Sequence, residues 1–163
     1  MPDQASDKRL ELAYDAAQKK LAMQDTTLSN VRTRANTLLA TAALFTSFSA
    51  GVGLINSDPS KGPVLSSCAG SALLIIVILL GACVFYVSWP AKGWHFVPSA
   101  SIIMKKYRAS ETEEAIRIFV TDAMIKGSTE NQPKLDRRQK AFRAAIFLLV
   151  VEVALLVWLF IVR

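Results

Sequence analysis

The sequence predicts an all-α membrane protein with three transmembrane helices, a long N-terminal cytoplasmic helix and a helical cytoplasmic segment between the second and third spans. The 163 residues are 52% hydrophobic and only 20% charged, which is too apolar for an ordinary soluble domain of this size. Three apolar runs each reach the roughly 20 residues that a helix needs to cross a bilayer. The basic residues lie beside these runs and form no separate basic domain, so we expect no nucleic-acid partner.

The N-terminal segment, residues 1–34, is polar and helix-prone and lacks the apolar run of a signal peptide. Its apolar and small residues recur at alternating spacings of four and three, which is typical of a heptad seam. The seam comprises Leu10, Tyr14, Ala17, Leu21, Gln24, Leu28 and Val31. It continues into Leu38 and Ala42, so we expect one long helix. The seam either forms a coiled coil with a neighbouring subunit or packs on the protein's other cytoplasmic helix.

The three predicted spans cover residues 35–56, 64–89 and 141–162. Residues 57–63 form a short turn with Pro and Gly between the first two spans, without an excess of positive charge. Lys and Arg are concentrated before the first span and between the second and third. The positive-inside rule therefore places the N-terminus and residues 90–140 in the cytoplasm and residues 57–63 outside.

Residues 90–140 are predicted to begin irregularly, because Pro90, Gly93 and Pro98 follow the second span. Ser110 and Glu113 then form a capping-box pattern. The pattern predicts a short amphipathic helix that ends at Gly127, followed by a polar turn over residues 128–133. We expect this helix to pack on the N-terminal helix or to lie on the membrane surface.

Glu152 lies near the middle of the third span, where an ionised side chain costs about 2.5–3.5 kcal/mol on insertion scales. We expect it to be protonated, hydrogen-bonded or in contact with water. The candidate partners are Glu152 of another subunit or one of the hydroxyls of Thr41, Thr46, Ser47, Ser49 and Ser71. Two roles follow from this position: a polar contact between helices, or a carboxylate that lines a cation path in an assembly.

Small residues recur every four positions in the first span, at Ala43, Ser47 and Gly51. Such a stripe lets two helices approach closely, within one chain or between copies. No nucleophile elbow, phosphate-binding glycine loop or HExxH pair is present, and His95 is the single histidine. We therefore predict a protein that is not an enzyme and that holds no metal and no cofactor.

The order of these parts resembles the small membrane effectors of bacterial Pycsar anti-phage systems and related short defence-associated effectors. The resemblance runs from Tyr14 to the end of the chain. A polar helix enters the first span through residues 31–39, Val-Arg-Thr-Arg-Ala-Asn-Thr-Leu-Leu, where many such effectors have Ala-Asp-x-Lys-Ala-Gly-x-Leu-Leu. Arg34 and Ala35 match the Lys-Ala pair, whereas Arg32 and Asn36 replace the Asp and the Gly. The second span ends in Trp89-Pro90.

The resemblance implies a bacterial inner-membrane protein that impairs the membrane when a partner cyclase makes a cyclic pyrimidine nucleotide, cCMP or cUMP, during infection. We expect a homo-oligomer in contact with the lipid bilayer. The chain has no room for a separate β-rich nucleotide domain, so cytoplasmic basic residues are the ligand-binding candidates: Arg32, Arg34, Lys105, Lys106 and Arg108. The alternative function is a non-catalytic accessory or scaffolding membrane subunit that recruits a cytoplasmic partner.

Overall fold

The computed structural model describes residues 8–53 and 67–161, and all regular secondary structure in these two ranges is helical. The all-α class is therefore confirmed. The elements are α1 (Lys8–Gly53), α2 (Ser67–Ser88), α3 (Ala100–Arg108) and α4 (Glu113–Ile161). The predicted external turn, residues 57–63, and the ends of the predicted spans at residues 54–56, 64–66 and 162 lie outside the described residues.

Helix α1 is continuous over 46 residues, as expected from the uninterrupted seam. Most of the seam is buried, and the buried face continues along the helix beyond it. The buried residues are Ala17, Leu21, Gln24, Leu28 and Val31 of the seam, followed by Ala35, Leu38 and Ala42. The second half of α1 is mostly apolar but contains threonines. The Thr37 and Thr41 hydroxyls donate to the backbone carbonyls four residues earlier, at 3.1 and 3.0 Å. These bonds satisfy the hydroxyls within the helix itself.

Within the described residues, two helices are long and apolar enough to cross a membrane: α2 and the apolar part of α4. Helix α2 exposes large apolar side chains along much of its length, including Leu74, Ile78 and Phe85. Lipid is the solvent that makes such exposure favourable. A crossing by the second half of α1, and with it the three-span topology, stays a prediction.

Helix α4 corrects three predictions about residues 110–133. Thr112, and not Ser110, caps the helix, since its Oγ1 accepts a hydrogen bond from the backbone N–H of Ala115 at 3.2 Å. Ser110 has a φ of 59°, in the left-handed region, which a residue that begins a capping box does not adopt. The helix then runs for 49 residues with Pro133 inside it, so neither a stop at Gly127 nor a turn over residues 128–133 exists.

Tertiary contacts explain why α4 continues through its glycine and proline. A Cβ on residue 127 would lie 2.9 Å from the Cβ of His95, so Gly127 permits a close approach of the preceding loop. Pro133 deprives the residue 129 carbonyl of its helical donor, and next to that carbonyl the Gln24 side chain donates to the Ser128 carbonyl at 2.9 Å. Packing from α1 thus supports the helix at the position where local propensity disfavours it.

The short helix α3 was not predicted. Its three basic residues in the last turn, Lys105, Lys106 and Arg108, lie where the negative end of the helix dipole favours positive charge. The described residues divide into two compact units. The polar unit comprises residues 8–29 and 91–136, and the apolar unit comprises residues 30–53, 67–90 and 137–161.

Each unit has its own buried cluster. The polar unit is centred on Ala17, Leu21, Val120 and Met124, with Tyr14, Ile103 and Ile116 packed against them. The apolar unit is centred on Val31, Ala35, Leu38, Ala42, Leu80, Val84, Val87 and Ala145. In both units, α1 contributes residues from the seam or its continuation. The 3.5-residue repeat therefore serves packing within the chain.

The assignment of the α4 cap predicts opposite effects of two neighbouring substitutions. Thr112→Ala removes the acceptor for the Ala115 N–H and should lower the free energy of unfolding by about 1 kcal/mol. Ser110→Gly should raise it by up to about 1 kcal/mol, because glycine adopts a positive φ without a steric penalty. Unfolding in detergent micelles, followed by circular dichroism, measures both effects. Destabilisation by Ser110→Gly would contradict this assignment and support Ser110 as the cap.

Candidate functional site

Glu152 is fully buried in the apolar unit, with 0% of its surface exposed. Its Oε1 lies 2.5 Å from Oγ1 of Thr46 on α1, one of the hydroxyls predicted as its partner. Its Oε2 is buried and has no hydrogen-bond partner among residues 8–53 and 67–161. A buried polar atom without a partner costs about 1–3 kcal/mol, so this carboxyl occupies an expensive position that packing alone does not require.

The hydroxyl of Thr46 has one proton for two neighbouring acceptors. Its Oγ1 also lies 2.9 Å from the carbonyl oxygen of Ala42. If Thr46 donates to Glu152, the Ala42 contact holds no proton from this hydroxyl. If it donates to Ala42, the short contact to Glu152 needs a proton from the carboxyl group itself. The Thr46 hydroxyl therefore lies between two acceptors, the Ala42 carbonyl and the Glu152 carboxyl.

This geometry makes Glu152 a contact between α1 and α4 within one chain. The predicted cation-path role requires the carboxyl to leave Thr46, so it stays a prediction. The small-residue stripe does not form the observed contact: Ala43 and Ser47 are exposed, and the side-chain environment at Gly51 lies outside the described part. Each one position earlier, Ala42 is buried in the cluster of the apolar unit and Thr46 contacts α4.

Two arginines meet the end of α2. Arg32 of α1 donates from Nη2 to the carbonyl oxygen of Trp89 at 3.2 Å, and Arg138 of α4 donates from Nη1 to that of Val87 at 2.5 Å. Pro90 ends α2 directly afterwards, which leaves its last carbonyls without helical donors. The guanidinium groups supply those donors at the negative end of the helix dipole.

The charges of these two arginines lie close together. Arg138 is 7% exposed and precedes the apolar run of α4. Burial, and then the positive charge of Arg32, lower the pKa of the Arg138 guanidinium from its ordinary value. A neighbouring Tyr86 ring, whose centroid lies 6.0 Å from the Arg138 Cζ, supplies a favourable cation–π contact. The Nε of Arg32 is buried without an acceptor.

The sequence missed Arg138 as a site residue, although a signal was present. Leu135, Arg138, Phe142 and Ala145 follow the same spacing of three and four, which places the arginine on the apolar face of α4. An arginine on such a face must find acceptors inside the protein. Positive-inside counting treated it only as a charge near a membrane.

The other predicted ligand-binding residues do not form a common site among the described residues. Arg34 is exposed in the apolar unit, while Lys105 and Arg108 are exposed on α3 of the polar unit. Lys106 is engaged: its Nζ lies 2.9 Å from a Glu111 carboxylate oxygen and 4.2 Å from the centre of the Phe119 ring. Of the five candidates, Arg32 is the one that contacts the end of α2.

In the polar unit, the predicted seam packs against the protein's own helices. Ala17, Leu21, Gln24 and Leu28 are buried, and Leu10 and Tyr14 are partly exposed. The Gln24 amide also donates to Oε1 of Gln132 at 2.9 Å. A buried polar residue in a seam fixes the register of the packed helices, and here its partners lie on α4.

The loop before α3 is held on α4 by Asn131, which is fully buried. Its side chain accepts from the His95 N–H at 2.9 Å and donates to the His95 carbonyl at 2.8 Å. The polar unit also has an open groove of about 340 Å³, whose lining combines apolar side chains with three carboxylates and one arginine. It is lined by Glu11, Tyr14, Asp15, Ile103, Glu113, Ile116, Arg117 and Val120.

Among residues 8–53 and 67–161, no group of three or more His, Cys, Asp or Glu side chains is arranged to hold a metal ion. Comparisons with protein-family models, with curated proteins and with solved structures find no match to this chain.

The Thr46–Glu152 contact predicts strong coupling in a double-mutant cycle. Thr46→Val removes the hydrogen-bond partner that the carboxyl has among the described residues. It should therefore lower the stability of the wild type, but it should cost much less in a Glu152→Leu background. We expect a coupling free energy of about 0.6–2 kcal/mol from unfolding in detergent micelles. Thr41→Val, whose hydroxyl bonds its own helix, is the matched control; coupling no larger than the control's would contradict the contact.

Proposed function

We propose that this chain is a membrane effector of bacterial anti-phage defence, which impairs the inner membrane when copies of it assemble in response to cCMP or cUMP from a partner cyclase. In this proposal the polar unit lies in the cytoplasm with the N-terminus, and the chain crosses the bilayer three times. The resemblance to Pycsar effectors suggests the trigger and the loss of membrane integrity. The buried Glu152 carboxyl is the group that would line a cation path.

The observation that carries the proposal is the enclosure of Glu152. An ionisable side chain at this depth marks a functional site in many membrane proteins, because packing is achieved more cheaply without it. While the carboxyl is bonded to Thr46, it faces protein. A leak requires the carboxyl to turn toward a water-filled path between copies, where rings of carboxylates favour cations.

Assembly is supported by the surface that α1 leaves uncovered. Ala43 and Ser47 are exposed on the apolar half of the helix, beside the exposed side chains of Leu44 and Phe48. Small residues permit close approach of a second helix in lipid. One chain with three spans encloses too little space for a passage, so conduction depends on several copies.

Vesicles that contain the purified full chain and an entrapped fluorescent dye test this function. Addition of cCMP or cUMP should release the dye, whereas cAMP should not. Glu152→Gln keeps the size of the side chain but removes its charge, so we expect cation flux to fall by about tenfold. Thr41→Val is the matched control and should conduct like the wild type. No release with either pyrimidine nucleotide contradicts the trigger.

The alternative, an accessory subunit, is supported by the groove of the polar unit. The lining includes apolar side chains, among them Ile103 and Ile116, and more carboxylates than basic groups. This combination suits a basic amphipathic helix. This alternative predicts stable co-purification with a larger membrane complex and no dye release. Dye release by the isolated chain argues against it.

A further inference from the structure

We propose that Arg32 and Arg138 form a binding site for an anionic phosphate group at the end of α2. The phosphate belongs either to a membrane phospholipid or to a soluble nucleotide, and both present the same oxygens. The inference does not depend on the proposed effector function, because a lipid phosphate fills the same role in any membrane protein.

The first support is an imbalance of charge within the apolar unit. In its described residues, the basic side chains are Arg32, Arg34, Arg137, Arg138, Lys140 and Arg143, while the acidic ones comprise Glu152 alone. Glu152 lies fourteen positions beyond Arg138 on the same helix, a separation of about 21 Å along the axis. The two guanidinium groups therefore have no carboxylate of their own unit nearby.

The second support is the set of acceptors that the arginines do have. Both contact backbone carbonyls, Trp89 for Arg32 and Val87 for Arg138. A carbonyl accepts a hydrogen bond but carries no full negative charge, so the pair keeps its two positive charges. Phosphate oxygens neutralise such a pair and match the planar fork of arginine donors.

The third support is the Nε of Arg32, which is buried and has no acceptor among the described residues. Its Nη2 is already directed to Trp89. Nη2 carries two N–H groups, and one side of it lies beside the Nε–H. Phosphate oxygens that meet Nε and Nη2 on that side form a bidentate contact, the arrangement in which arginine binds phosphate most specifically. Neighbouring Arg34 is exposed and has no comparable surroundings.

The position along the chain fits a headgroup. Arg32 precedes the apolar part of α1, Arg138 precedes the apolar part of α4, and Trp89 ends the apolar run of α2. Basic residues between spans at this level are where anionic lipid headgroups bind. Exposed Tyr86 and Trp89 side chains are typical of the same interfacial layer.

A purely structural explanation competes with this one, in which the two arginines only cap the end of α2.

 A cap alone predicts that Arg32→Gln lowers stability equally in every lipid and leaves lipid binding unchanged. A phosphate site predicts that the variant loses a response to phosphate that the wild type has. Lipid dependence therefore separates the two roles.

The test uses the purified full chain in neutral detergent micelles, with dioleoyl phosphatidylglycerol, dioleoyl phosphatidylcholine or cCMP as the added probe. Native mass spectrometry measures bound probe, and thermal unfolding measures the stability that it confers. We expect phosphatidylglycerol, and not phosphatidylcholine, to bind the wild type. Arg32→Gln should weaken that binding by about tenfold or more, because it removes the bidentate donor. Arg34→Gln, an exposed arginine two residues away, is the matched control and should weaken it by less than about twofold.

The outcomes distinguish the sources of the phosphate. Binding of phosphatidylglycerol that depends on Arg32 identifies a lipid headgroup, and binding of cCMP that depends on Arg32 identifies a soluble nucleotide. Binding of neither probe, or equal losses in Arg32→Gln and Arg34→Gln, overturns the proposal.

If Arg32→Gln does not fold, Arg32→Lys replaces it. The lysine keeps the charge but not the paired donors of the guanidinium, so wild-type binding by this variant also overturns the site. Dye release from vesicles is a separate measurement, so failure here leaves the effector proposal standing.

Discussion

A bilayer core offers no hydrogen bonds, so polar groups on a helix that crosses it must find their partners within the protein. The threonine hydroxyls of α1 show the cheapest solution, a bond to the carbonyl one turn earlier. Thr46 makes the same local contact and also reaches Glu152 across to α4. At the end of α2, Arg32 and Arg138 donate to the Trp89 and Val87 carbonyls, where the helix stops and supplies no further donors. The Thr46–Glu152 contact joins α1 to α4, and the two arginines join α1 and α4 to the end of α2.

The need of polar groups for partners within the protein also applies to α4, which runs through both the polar and the apolar unit. Helix α4 has 49 residues, more than twice the roughly 20 that a bilayer crossing needs. Its first part packs in the polar unit, where Gln24 donates to the Ser128 carbonyl beside Gly127 and Asn131 bonds the His95 backbone. Its last part packs in the apolar unit, where Glu152 is the single acidic residue that the structure describes. Helix α1 is divided between the units in the same way.

Periodicity made much of this fold predictable. The spacing of four and three along α1 gave its continuity and its buried face, and the apolar runs gave α2 and the end of α4. Thr46 was among the hydroxyls expected to meet Glu152. The errors arose where a distant contact outweighs a local preference. Gly127 resembled a stop, but it accommodates His95; Pro133 resembled a turn, but α4 continues through it. Arg138 was treated as a surface charge because its partner, the Val87 carbonyl, lies 51 positions away.

The central claim is that the apolar unit lies in lipid while the polar unit lies in the cytoplasm. Single cysteines in a Cys68→Ser, Cys83→Ser background, labelled in intact cells with a membrane-impermeant maleimide, test it most directly. A cysteine at Thr129, which is exposed on the polar unit, should react only after the cells are permeabilised. A cysteine at Val150, which is 61% exposed on the apolar unit, should stay unreactive until detergent dissolves the membrane. Labelling of position 129 in intact cells, or of position 150 without detergent, would contradict the claim.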